Sequence, residues 1–121
     1  MPSLTIIDNL HRYRHEVAIA SVVWHELLFG CYRLPPSAKQ RALEIYLRKV
    51  VRPSIPILAY DMQCAAWHAT ERARLAAIGK TPPFADGQIA AIARINELTL
   101  VTLNVSDFAN FQDIHVINWQ D

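Results

Sequence analysis

Apolar positions recur along this chain with two different periods, and the switches between them divide it into alternating helices and strands. Ser3–Arg14 carries Leu4, Ile7, Leu10 and His11 at helical spacing, which predicts a short amphipathic helix. Val17–Ala20 is a short β-prone run, and Ser21 is positioned to cap a helix over Val22–Gly30. Pro35, Pro36 and Ser37 then punctuate the chain and start a helix over Ala38–Val50, with Leu43, Leu47 and Val50 on its apolar side, ended by Arg52-Pro53-Ser54. Ile55–Ala59 reads as a second strand, and its Pro56 suits an edge or a strand start. A long helix over Asp61–Ile78 is capped by Asp61 and closed by Gly79. Lys80-Thr81-Pro82-Pro83 leads into a helix over Gly87–Asn96, a strand over Thr99–Leu103 and a last strand over His115–Asn118. Strands separated by helices predict right-handed crossovers, and so an α/β fold with a parallel sheet covered by helices.

Composition narrows this picture. At 121 residues the chain predicts a single domain over 1–121, and 52% hydrophobic with 19% charged residues fits a packed fold rather than a disordered one. No apolar run approaches the roughly 18 residues of a membrane span, and the start MPSLTIIDNLHRYRH lacks the pattern of a signal peptide. Cys31 and Cys64 sit in apolar helical settings, as expected of buried thiols in a reducing cytoplasm. The net charge of +1 gives no global basic field, so any contact with nucleic acid must come from local groups.

The candidate chemistry is concentrated in Phe84–Phe108, FADGQIAAIARINELTLVTLNVSDF. A helix over Gly87–Asn96 advances about 15 Å, and a strand over Thr99–Leu103 returns a similar distance. Asp86 and the Asn104/Asp107 loop therefore finish at one end of the unit. In an open α/β sheet that carboxyl edge is where sites are built. Glu26, in SVVWHELLFG, follows the Val17–Ala20 strand and adds a carboxylate near the same edge. Among Val, Trp and Leu its burial needs compensation, which a cation would supply. These oxygen ligands suit Mg²⁺ or Mn²⁺, since Mg²⁺ takes only one or two protein carboxylates directly. Plainer readings stand beside each: Asp86 as a helix cap, Glu26 on a solvent-facing strip, Asn104 and Asp107 as Asx-turn residues. His11, His15, His25 and His68 read as surface or packing groups. Arg72, Arg74 and Lys80 are either a phosphate-steering strip toward Asp86 or solvated helix charges. No Walker loop, dinucleotide glycine pattern, nucleophile elbow or paired CxxC is present.

With SVVWHELLFG holding Glu26, FADGQIAAIA holding Asp86, TLVTLNVSDF holding Asn104 and Asp107, and the closing VINW, the chain resembles the PIN-domain toxins of the VapC family, from bacterial type II toxin–antitoxin modules. The resemblance covers nearly the whole chain. It implies a three-layer α/β/α domain with a parallel sheet. It further implies a Mg²⁺- or Mn²⁺-dependent endoribonuclease that hydrolyses RNA, is held inactive by a VapB-type antitoxin, forms a homodimer and works in the cytoplasm. Carried over, Glu26 and Asp86 are acidic site residues, Asn104 stands at the fourth acidic position, and Asp107 is a substitute or second ligand. One departure stands out. These toxins begin with a strand ending in an LLDTN-like segment whose Asp is the first metal-site acid. Here TIIDN places Asp8 only eighteen residues before Glu26. Ser3–Arg14 matches the family's second helix instead, so the chain is expected to be N-terminally truncated, lacking the first strand and first acid.

Two further functions compete with the nuclease. A catalytically impaired binding module would keep the helical surfaces that pair with an antitoxin or with a second copy. A receiver-like or phosphatase domain would accept a phosphoryl group on Asp86.

Overall fold

The computed structural model describes residues 18–102 and 104–118. The predicted Ser3–Arg14 helix, Asp8, His11 and His15 lie outside them, as does Leu103. The chain divides into two compact units, one ending at Leu58 and the other starting at Ala59.

In the first unit, strand β1 (Ile19–Ala20) pairs in parallel with β2 (Ile57–Leu58), with Ile19 opposite Ile57. The Ile19 amide donates to the Pro56 carbonyl at 2.8 Å, so Pro56 enters the strand through its acceptor and its missing N–H costs nothing. Helix α1 runs over Ser21–Tyr32. It begins one residue earlier than predicted, because Ala20 occupies the cap position and Ser21 is already helical, with no side-chain cap bond. Helix α2 (Ala38–Tyr46) starts as expected at Ser37, whose hydroxyl accepts the Gln40 amide at 3.1 Å. Gln40 also staples the turn: its side-chain amide donates to the carbonyls of Cys31 at 3.2 Å and Leu34 at 3.0 Å. Cys31 lies in the last turn of α1 and Leu34 two residues past its end, where carbonyls lack i+4 helical partners. The chain does not stop at Arg52. A π-helical turn over Leu47–Val51 passes directly into the short helix α3 (Arg52–Ser54), and this turn buries both Leu47 and Val51.

The second unit opens with helix α4 (Met62–Ala77). Asp61 caps it by accepting the Cys64 amide at 2.9 Å, and Gly79 leaves it at φ +71°, the left-handed conformation that glycine adopts without strain. Its buried residues Cys64, His68, Glu71 and Leu75 follow helical spacing. That stripe packs on helix α5 (Phe84–Ile95), which presents Gly87, Ala90, Ala91, Ile92 and Ala93 as its buried side. Small residues permit close approach. A Cβ at Gly87 would lie 2.0 Å from Nε2 of His68. Strand β3 (Leu100–Thr102) pairs in parallel with β4 (Val116–Asn118), with Leu100 opposite Val116, and a 3₁₀ turn over Val105–Phe108 follows β3. The core beneath is Leu75, Ala90, Phe108 and Phe111, flanked by Trp67, Ile89 and Leu100. Each fully buried large apolar side chain contributes about 1.5–3 kcal/mol. Cys31 and Cys64 are both buried and free, as the sequence predicted. Among the described residues, no helix is long and apolar enough to cross a membrane.

Candidate functional site

Asp86 is the third residue of α5, which starts three residues earlier than the predicted Gly87. The cap position belongs to Pro83, and no side chain makes a capping bond there. The carboxylate is therefore not spent on capping. It lines a cleft of about 460 Å³ together with Lys80, Ser106, Asp107 and Asn110. Partial burial pushes the Asp86 carboxyl above the usual carboxylate range, and the negative charge of Asp107 pushes it further.

Asp107 arrives by the return path. Strand β3 ends at Thr102, and the 3₁₀ turn that follows carries Asp107 one residue before Phe108. Phe108 is buried in the core, so the turn that presents Asp107 is anchored by its neighbour. The Asp107 amide also donates to the Asn104 carbonyl at 3.1 Å. Asn104 sits at the cap position of this turn without a side-chain cap bond, and its amide donates to Oγ1 of Thr102 at 3.0 Å. Its side chain is exposed and does not line the cleft. The structure thus brings Asp86 and Asp107 together, with Asn104 three residues away on the same loop.

Glu26 differs from expectation. It belongs to the first unit, on α1, and its side chain is 63% exposed rather than buried among Val, Trp and Leu. Among the described residues it pairs with the adjacent His25, with Nδ1 at 3.2 Å from Oε1. Both groups are exposed, and such a pair contributes little to stability. The burial argument for a cation at Glu26 therefore fails, and what remains is a carboxylate open to solvent.

The predicted basic strip separates into different roles. Arg74 is fully engaged: Nε and Nη2 donate to the two oxygens of buried Glu71, each at 2.9 Å, and Nη2 also donates to the Asn110 carbonyl at 2.8 Å. Glu71 accepts the Gln112 amide at 3.0 Å as well. This clamp ties α4 to the loop whose Asn110 lines the cleft, and the Arg74 guanidinium holds the Glu71 carboxyl below its ordinary value. Glu71 carried no distinguishing signal in the sequence beyond its i, i+3 spacing from Arg74. Lys80 faces the cleft, and Arg72 lies over the ring of Phe84 with its guanidinium carbon 5.3 Å from the centroid. His68 is a packing group, as predicted, buried with Nδ1 2.9 Å from the Tyr60 hydroxyl. Burial, reinforced by the Arg72 charge, lowers its pKa.

Among the described residues, no group of three His, Cys, Asp or Glu side chains comes together. The pair at the cleft nonetheless fits a hard divalent cation by the chemistry of its donors. Asp86 and Asp107 supply carboxylate oxygens, and Mg²⁺ needs only one or two of these with water completing its shell.

No family model matches the chain. It is 30% identical over 123 residues to the plasmid stability protein StbB of Pseudomonas syringae pv. tomato, spanning 98% of this chain and 88% of that protein. The fold superposes on FitAcB from Neisseria gonorrhoeae with a TM-score of 0.84 at 28% identity, covering 99% of this chain and 88% of that one. It also superposes on a DNA-bound VapBC from Salmonella typhimurium, with a TM-score of 0.78 at 24% identity over 97% and 86% of the two chains. An α/β fold of the PIN type, with its acids gathered after β3 and at the start of α5, defines the class. Within that class, the chain belongs to the VapC family of PIN-domain toxins from toxin–antitoxin modules.

Proposed function

We propose that this chain is a divalent-metal-dependent endoribonuclease, the toxin of a type II toxin–antitoxin module. The observation that carries the reading is the convergence of Asp86 and Asp107 on one open cleft, where the charge of one acid disfavours ionisation of the other. Asp86 and Asp107 would hold Mg²⁺ or Mn²⁺, with Asn104 and Glu26 as further site residues. Such a cation, when bound, neutralises phosphate oxygens and activates water. The chain's own contribution is positional. Phe108 anchors the Asp107 turn, the Glu71–Arg74 clamp fixes the Asn110 side of the cleft, and Lys80 offers a positive charge to a phosphate.

Family membership supports the rest of the proposal. A VapB-type antitoxin would bind and silence the toxin in the cytoplasm, and the toxin would form a homodimer. The related structures are themselves complexes described as VapBC and FitAB. The test is RNA cleavage by the purified chain in Mg²⁺, in EDTA, and with Asp86→Ala. The proposal expects cleavage only for wild type with metal. Equal cleavage by the variant, or cleavage undiminished by EDTA, would contradict it. The alternative of a catalytically impaired module that only pairs with an antitoxin or itself draws on the absence of a three-donor cluster among the described residues. It predicts no cleavage by wild type under any of these conditions.

A further inference from the structure

Phe84 departs from the rest of its helix. The apolar positions of α5 that follow it are largely buried, yet Phe84 is 50% exposed. Its exposure is not looseness. One contact of the ring is with the buried imidazole of His68, centroid to centroid 4.8 Å and tilted by 51°. The other is with the Arg72 guanidinium, which α4 places four residues beyond His68 and so on the same side of that helix. Pro82 and Pro83 restrict the backbone that leads into it. Arg72 has no carboxylate partner among the described ion pairs. A fixed, half-exposed aromatic ring carrying an unneutralised guanidinium is the chemistry on which single-stranded bases stack, since every base has a π face.

Its location gives the pair a purpose. Phe84 directly follows Pro83, which lines the cleft with Asp86, while the Phe84 and Asp86 side chains, two positions apart, leave the first turn of α5 on different sides. A nucleotide seated on the ring would therefore lie at the helix start that borders the cleft, with its strand continuing around that start toward Asp86. There the two carboxylates repel a phosphate, while Lys80 attracts it. We propose that Arg72 and Phe84 form a base-stacking shelf that binds the nucleotide next to the scissile phosphate of a single-stranded RNA. The proposal rests on the nuclease reading for the identity of the substrate.

The shelf is tested by binding, with cleavage suppressed. A fluorescently labelled single-stranded oligoribonucleotide and an abasic strand of the same length are titrated by anisotropy, in EDTA, into wild type, Phe84→Leu and Arg72→Ala. Wild type is expected to prefer the strand with bases, and each variant to lose about fivefold to a hundredfold of that binding, the range for one stacked base. Phe84→Leu should leave the abasic strand's weaker binding nearly unchanged, and Arg72→Ala should lower it less than it lowers binding of the strand with bases. Equal binding of both strands by wild type, or variants that bind as wild type does, would overturn the shelf. If Phe84→Leu fails to fold, Arg72→Ala at an exposed position and the abasic comparison decide the question. Failure of the nuclease reading is distinguishable. A protein that prefers bases and loses this preference in the variants, yet never cleaves RNA, upholds the shelf and contradicts the nuclease. One that cleaves but is indifferent to both substitutions contradicts the shelf alone.

Discussion

Asp86 and Asp107 face one cleft, where burial first and then the Asp107 charge raise the pKa of Asp86, although most of a helix and a strand separate the two acids in the chain. Placing like charges together opposes folding unless something offsets the repulsion. Such pairs concentrate where a cation or proton is to be handled. The cleft is built around this pair, with Lys80 as its nearby positive charge and Phe108 and the Glu71–Arg74 clamp holding its walls.

Gly87→Ala should destabilise the protein by about 1–3 kcal/mol, the usual cost of overpacking a filled site. The new Cβ would fall 2.0 Å from Nε2 of a buried ring that Tyr60 and Phe84 hold in place. Urea unfolding measures this directly. Unchanged stability would mean that α4 and α5 separate more easily than their packing indicates.

Glu71→Gln should cost on the order of 1–3 kcal/mol at neutral pH, because a buried charge-assisted clamp loses its charge. The sign of its pH dependence is fixed. Arg74 lowers the folded-state pKa of Glu71 from its ordinary value of 4.5. The stabilisation is therefore complete above that value and is lost as pH falls through the lower folded-state value. Wild type should show this acid limb in its melting temperature, and the variant should show a shallower one.

Gln40→Ala should weaken the first unit by about 1 kcal/mol, since the Leu34 carbonyl loses this donor and the Cys31 carbonyl keeps only the Leu34 amide. Denaturant titration followed by circular dichroism reads this loss. No change would show that water replaces the staple without penalty.

Glu26→Gln should leave stability within about 0.5 kcal/mol of wild type, as expected at an exposed position, while lowering RNA cleavage. Its side chain is 63% exposed and has only His25 beside it, so a fall in activity would reflect function rather than folding. Unchanged cleavage would remove Glu26 from the site.

Much of this arrangement was legible in the sequence where local chemistry decides structure. Ser37, Asp61 and Gly79 punctuate the helices as their side chains and backbone freedom require. The helix-then-strand geometry from Asp86 to Asp107 also emerged from residue counts alone. What escaped depends on partners distant in the chain. The π-helical turn at Leu47–Val51 brings Val51 into the core beside Leu47, where the helical pattern pointed to Val50. The Glu71–Arg74 clamp takes its purpose from Asn110 and Gln112, 36 and 41 residues further on. The exposure of Glu26 departs from the burial its apolar neighbours suggest, because neighbours in sequence are not neighbours in space. On a helix, adjacent residues point in directions about 100° apart.

The central claim is that Asp86 and Asp107 share a divalent cation, and isothermal titration of Mn²⁺ into the purified chain tests it most directly. Wild type should bind Mn²⁺ with micromolar affinity, and Asp86→Asn and Asp107→Asn should each weaken binding strongly while remaining folded. Affinity unchanged in both variants, or no binding by folded wild type, would contradict it.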